Sequence, residues 1–172
     1  MSEWDFLWGL EGQELLDAMA SGATYEEWAY IEEHEDGSIA LFIDGENISS
    51  KYAEQIMEIL SDYGKIAVKK VYGLQKDECT KKWSSKAKEN DIKDIRLAGK
   101  PQKNKVDKKI IKDIKKTIHG QRNINTVCIV SCDGGYANII KDIQDNGIMA
   151  IAIGTKKASK KLKDVCDIFK EI

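Results

Sequence analysis

The sequence predicts an α/β domain, a mainly parallel sheet with helices on both faces, preceded by an acidic helical N-terminal extension. Three observations lead there. Short Val/Ile-rich runs alternate with amphipathic helical patterns, as buried parallel strands do. Two of those runs lead directly into loops that carry an aspartate, Asp44 and Asp133. The charge divides sharply near residue 38: residues 1–38 hold eleven acids and no Lys or Arg, whereas 39–172 hold all 27 basic residues against 18 acids, −11 against +9.

Residues 1–38 mix their acids with Trp4, Phe6, Trp8, Leu15, Leu16, Met19 and Trp28. Leu15, Leu16 and Met19 have helical spacing, Ser21-Gly22-Ala23 reads as a break, and Thr24 to Glu27 reads as a capping box for a second short helix. Asp36-Gly37 is a turn and the expected boundary. The main domain then spans 39–172. Ile39 to Ile43 form the first strand, ending at Asp44, and a helix over about 49–63 turns Tyr52, Ala53, Ile56, Met57, Ile59 and Leu60 inward. A strand over 66–74 precedes a polar helix near 78–90, and Ile95 and Leu97 mark a short strand near 94–98. The basic loop 100–105 leads to a helix of about 106–118 with Val106, Ile110, Ile111, Ile114 and Ile118 on its apolar face. A strand over 126–131, a helix near 135–145 and a strand over 148–153 follow, then a short helix holding Leu162, Val165 and Cys166 and an edge strand at Ile168-Phe169. This alternating order is Rossmann-like and implies right-handed crossovers.

No apolar run is long enough to span a bilayer, and no basic segment leads into an apolar signal core, so the expectation is a soluble, cytoplasmic protein. None of the four cysteines forms a CxxC pair, which favours small buried hydrophobes over a zinc site. His34 and His119 are far apart and suggest no triad; His119 near a helix end suits the helix dipole. The basic domain implies a polyanionic partner, and the attached acidic segment implies an internal competitor for the same surface. Packing on its own domain and docking of a protein partner or a second copy are the other roles open to that segment.

The chemistry lies in the aspartates. Ligands of open α/β sheets sit at the carboxyl ends of the strands. Asp44, Asp133 and Asp107, which opens the helix after the basic loop, are therefore expected to share one crevice. Carboxylates gathered in this way repel one another, and a hard divalent cation relieves the repulsion. A strand-end Asp as phosphotransfer nucleophile is a weaker alternative, because no second aspartate stands two residues after Asp44.

The stretch Phe42-Ile43-Asp44-Gly45-Glu46-Asn47-Ile48, then Val106-Asp107 with Asp113 six residues on, then Ser131-Cys132-Asp133-Gly134-Gly135-Tyr136, resembles the NYN domain family of the PIN-like, FLAP-nuclease-like superfamily. Val71-Tyr72-Gly73 and the ending Ala158-Ser159 through Phe169 fit it too. The resemblance covers about 39–172 and implies a ribonuclease dependent on Mg²⁺ or Mn²⁺. It assigns Asp44, Asp107 and Asp133 as metal ligands, with Asn47 and Ser131 orienting ligands or a phosphate. Many members carry a further acid two residues after the position of Asp133, where this chain has Gly135. Either Glu46 or Asp113 compensates, or waters complete the shell, or the domain binds RNA without cutting it. RNA, single-stranded or structured, would be held by Lys100, Lys103, Lys105, Lys108, Lys109 and Lys112 on one side and by Lys156, Lys157, Lys160 and Lys161 on the other. Tyr72 and Trp83 are candidates for stacking on bases, with a place in the core the equal alternative for Trp83 on its helix.

Overall fold

The computed structural model describes residues 38–120 and 123–172. The expectations for the acidic segment, including its helices and its docking, fall outside the described residues, except that Ser38 opens the first strand. Six strands, β1 (Ser38–Asp44), β2 (Lys65–Leu74), β3 (Lys93–Leu97), β4 (Ile124–Val130), β5 (Met149–Gly154) and β6 (Ile168–Glu171), form one sheet in the order β3-β2-β1-β4-β5-β6. Every neighbouring pair is parallel. Helices α1 (Ala53–Ser61), α2 (Glu78–Glu89), α3 (Lys105–Gly120), α4 (Ala137–Asp145) and α5 (Lys160–Val165) join them. Short 3₁₀ turns, Ser50–Tyr52 and Gly134–Tyr136, lead into α1 and α4 where single helices were expected. Among the described residues no helix is long and apolar enough to cross a membrane.

The alternation of side chains along a strand feeds two separate cores. Ile39, Leu41 and Ile43 of β1 pack with Ile56 and Leu60 of α1 and Trp83 of α2. Ala40 and Phe42 pack on the opposite face with Ile110 and Ile114 of α3 and Ile139, Ile140 and Ile143 of α4. Each fully buried Ile or Leu contributes about 1.5–3 kcal/mol, so both faces of β1 are strongly specified. The chain thus winds outward from β1 on one face, then crosses after β3 and winds outward from β4 on the other. The strand order reverses between β1 and β4, and the crevice of the fold opens above that seam.

The two candidate base-stacking aromatics are core residues. Tyr72 and Trp83 are fully buried. The Trp83 indole N–H donates to the Ile48 carbonyl at 2.8 Å, and the Tyr72 hydroxyl donates to Asp113 Oδ2 at 2.7 Å. Neither ring has a free face for a base. Lys109 Nζ meets the other oxygen of Asp113 at 2.9 Å. Burial alone would raise the Asp113 pKa, but the hydrogen bonds from Lys109 and Tyr72 outweigh it and hold the carboxyl below its usual value. Tyr72, Asp113 and Lys109 therefore tie β2 to α3. Replacing Tyr72 by Phe leaves a buried carboxylate oxygen without its donor, and should cost about 1–3 kcal/mol of unfolding free energy in urea denaturation.

Candidate active site

Two parallel registers align the ends of the central strands. Ile43 pairs with Val130, so Asp44 comes to lie beside Ser131. Asp44 follows Ala40 and Phe42 in the two-residue alternation and faces the same side, toward α3 and α4. Gly45 lets the chain turn away immediately afterwards. Its N–H donates to the Tyr72 carbonyl at 2.8 Å, and a Cβ there would stand 2.7 Å from that oxygen and 2.8 Å from Val71 Cγ2.

Asp44 is only 1% exposed. Its Oδ2 accepts from Asn47 Nδ2 at 2.8 Å and from Ser131 Oγ at 3.1 Å, while its buried Oδ1 has no hydrogen-bond partner. Burial drives the Asp44 pKa up; the Asn47 and Ser131 hydrogen bonds pull it back, and the charge of Asp133 raises it further. Ser131 Oγ also accepts from the Asp133 N–H at 3.2 Å, which links the ends of β1 and the β4 loop through one hydroxyl. Asp133 is exposed and caps the 3₁₀ turn, its Oδ1 accepting from the Gly135 N–H at 2.8 Å.

Asp107 reaches the same place from the first turn of α3. The buried Tyr136 hydroxyl donates to its Oδ1 at 3.0 Å. Burial and the facing Asp133 carboxyl push the Asp107 pKa up to about 6 against the lowering effect of Tyr136, and the charges of Asp44 and Asp133 add to the rise. The carboxyls of Asp44, Asp107 and Asp133 thus act on one another at a single seam. In front of them lies a polar pocket of about 160 Å³ lined by Glu46, Asn47, Asn104, Lys105, Asp107 and Asp133, among others. Glu46 is half-buried at its rim, and burial raises its pKa, with the charges of Asp44 and Asp77 adding to the rise. Asp113 is held instead by Tyr72 and Lys109.

The lysines divide. Lys105 donates to the carbonyls of Ala98 and Lys100 and clamps the loop before α3, and Lys109 pairs with Asp113. Lys100, Lys103, Lys108 and Lys112 are exposed on that side, as are Lys156, Lys157, Lys160 and Lys161 on the other. The second group lies against the β4 loop: the Ser159 N–H donates to the Cys132 carbonyl at 3.0 Å, and a Cβ at Gly134 would stand 2.7 Å from Ser159 Oγ and 3.6 Å from Lys161 Cβ.

The NYN domain sequence profile matches residues 38–172. The chain belongs to the NYN domain family. The NYN domain is part of the PIN-like superfamily, and its fold is nuclease-like. No curated protein matches the chain. A solved structure of a protein of unknown function from Vibrio parahaemolyticus is similar, with a TM-score of 0.66 at 18% identity, over 81% of this chain and 94% of that one. That likeness concerns the fold.

One residue in contact with the site's acids went unrecognised in the sequence. Tyr136 reads there as one apolar residue among several on a helix face. A buried Tyr needs a partner for its hydroxyl, and Asp107, on another helix, supplies it; only the requirement for a partner is a sequence-level signal.

The raised Asp107 pKa has a testable sign. The folded value of about 6 lies above the ordinary 3.8, so the folded state binds the proton more tightly. That contribution to stability is complete below about pH 4 and is lost as pH rises through about 6. In a chelator, Asp107→Asn should therefore gain melting temperature relative to the parent between about pH 4 and pH 7. A constant difference across that range would show that the carboxyl titrates normally.

Proposed function

We propose that this NYN domain is a metal-dependent endoribonuclease that hydrolyses RNA phosphodiester bonds at the Asp44–Asp107–Asp133 seam. The observation that carries the proposal is the convergence of these carboxyls at the strand-order reversal, where burial first and neighbouring acids second raise the Asp44 and Asp107 pKa values and one buried oxygen of Asp44 lacks a hydrogen bond from the described residues. Among the described residues no group of three or more His, Cys, Asp or Glu side chains forms a preassembled metal cage. A Mg²⁺-type site does not require one, because Mg²⁺ takes one or two carboxylates and keeps several waters. The unpaired Oδ1 of Asp44 and the repelling pair Asp107 and Asp133 fit such a cation. Asp107 and Asp133 would hold it from the pocket and Asp44 from the buried side, with Glu46 at the rim. When bound, the ion lowers the pKa of water and offsets charge on the phosphate.

The chain's own groups do the rest. Ser131 and Asn47 fix the orientation of Asp44 through hydrogen bonds, as supporting groups at metal sites do. Tyr136 fixes Asp107. The carboxylates orient a water for attack on phosphorus, and the exposed lysines on both sides of the pocket hold the flanking phosphates without reading sequence. A second reading, an RNA-binding module with little cleavage, is favoured by Gly135, which brings no carboxylate beside Asp133.

Incubation of a labelled single-stranded RNA with the full-length chain separates the two. The proposal expects cleavage in Mn²⁺ or Mg²⁺, none in chelator, and loss of at least about a hundredfold in Asp44→Asn, a scale set by removal of groups acting at the transition state. A divalent ion should also raise the parent's melting temperature and leave that of Asp44→Asn unmoved. Metal-dependent cleavage by Asp44→Asn at the parent rate would exclude Asp44 from the machinery.

RNA affinity should depend steeply on salt. Each lysine–phosphate contact contributes about 0.7 to the slope of log K against log salt for single strands. Lys156→Gln with Lys157→Gln should flatten the slope by about one unit or more. An unchanged slope would place the phosphate track elsewhere.

A further inference from the structure

Beside the acid pocket, and sharing Leu74 with it, lies a second cavity of about 240 Å³. Leu74 ends β2 and Leu97 ends β3, so the cavity sits over the strand ends next to the proposed cleavage site. Leu74, Leu97, Gly99 and Pro101 supply apolar walls, and Gln75, Lys76 and Asp77 supply the polar groups. Its volume lies below the usual range of about 300–1,000 Å³ for small-molecule pockets. That size and wall chemistry suit one flat heterocycle.

Asp77 is the only acid lining this cavity. It caps α2, and its Oδ1 accepts from both the N–H and the hydroxyl of Thr80, each at 3.0 Å. Its Oδ2 accepts no hydrogen bond from the described residues, and neither does the Gln75 side chain make one. A carboxylate oxygen in an apolar cleft favours a partner that donates N–H bonds and disfavours one that presents carbonyls. Cytosine offers an N4 amino donor where the uracil-type edge offers the O4 acceptor.

We propose that this cavity binds a nucleobase next to the phosphate held over the acid pocket, and that Asp77 selects an amino-bearing base over uracil. The inference rests on the nuclease reading, because the shared Leu74 wall places the base beside a phosphate in the neighbouring pocket. Tyr72 and Trp83 have no free ring face, so apolar walls replace aromatic stacking, as they do around unstacked bases in other sites.

The test uses the full-length Asp44→Asn chain to suppress cleavage, in Mg²⁺ at low salt. Its probes are oligocytidylate, oligouridylate and an abasic strand of equal length, which carry equal phosphate charge. Oligocytidylate should bind about fivefold or more tighter than the abasic strand, the lower end of the range for a sequestered base, and clearly tighter than oligouridylate. Asp77→Asn retains a good helix cap and should erase the preference for cytosine, because its amide can donate to a carbonyl. Leu97→Ala should shrink the gap between oligocytidylate and the abasic strand while leaving abasic binding intact. Equal affinities for all three strands would overturn the base site and leave phosphate binding standing. A cytosine preference unmoved by both substitutions would also overturn it. Failure to bind any of the strands would overturn the nuclease reading together with the base site.

Discussion

The burial of one carboxylate, Asp44, governs the arrangement of this domain's crevice. A side chain 1% exposed at the end of a central strand must have its oxygens satisfied or bear the cost. Asn47 and Ser131 satisfy one oxygen; the other makes no well-formed hydrogen bond with the described residues, with only the Glu46 N–H close enough to temper its pKa. The seam between β1 and β4 makes this possible. Both neighbouring strands are hydrogen-bonded in register to their ends, so Ser131 arrives beside Asp44 through the backbone ladder without any loop having to reach across. Moving the register by one residue would turn Asp44 toward α1 and α2 and bring Ile43 to the site face. The two core clusters that flank β1 prevent this.

From that fixed point the other acids are placed by helices. Asp107 comes from α3, whose apolar face is anchored by Val106, Ile110 and Ile114 and whose middle is tied to β2 through Asp113 and Tyr72. Asp133 comes from the β4 loop, held by the Ser131 hydroxyl on one side and by its own cap of Gly135 on the other. Tyr136, buried under the turn, bridges the two by donating to Asp107. The result is a site in which the supporting groups are ordered while the carboxyls remain in electrostatic conflict. Conflict of this kind lowers stability and is a mark of functional positions in folded domains.

Most of the fold was legible because periodicity is a strong signal in buried strands and amphipathic helices. All six strands and the helices of the main domain lie within a few residues of where the pattern put them. The sequence also singled out Asp44, Asp107 and Asp133, because strand ends and helix starts mark the crevice of a parallel sheet, and the structure brings their carboxyls near one another. Individual side-chain fates were less legible. Tyr72 and Trp83 could equally have been exposed stacking faces or core; only the packed structure shows that β2 and α2 turn both inward. Lys105 and Lys109 look like their neighbours in a basic stretch, yet the Ala98 carbonyl and Asp113 claim them. Asp113 looks like an additional ligand until its helical phase is set against β2. The fates of Tyr72, Trp83 and Asp113 depend on contacts between residues far apart in sequence, which composition and spacing do not encode, and those of Lys105 and Lys109 on local contacts that spacing alone leaves undecided.

The distribution of charge gives the proposed chemistry its order of events. Exposed lysines are carried by the segments that flank the acids, Lys100, Lys103 and Lys108 around the start of α3 and Lys156, Lys157, Lys160 and Lys161 after β5. A phosphate approaching them is attracted, but one entering the pocket meets carboxylates, of which Asp44 and Asp107 have pKa values raised by burial first and by neighbouring acids second. On the proposed function, these lysines alone would hold an RNA strand at its flanking phosphates while the acids exclude the central phosphate. Partial protonation of Asp107 below about pH 6 or binding of a divalent cation relieves that exclusion, and only the cation also supplies a Lewis acid. On this reading strand binding and phosphate engagement are separate steps with separate electrostatic causes. Salt weakens the first by screening the lysines, and chelation blocks the second while leaving the lysines unchanged.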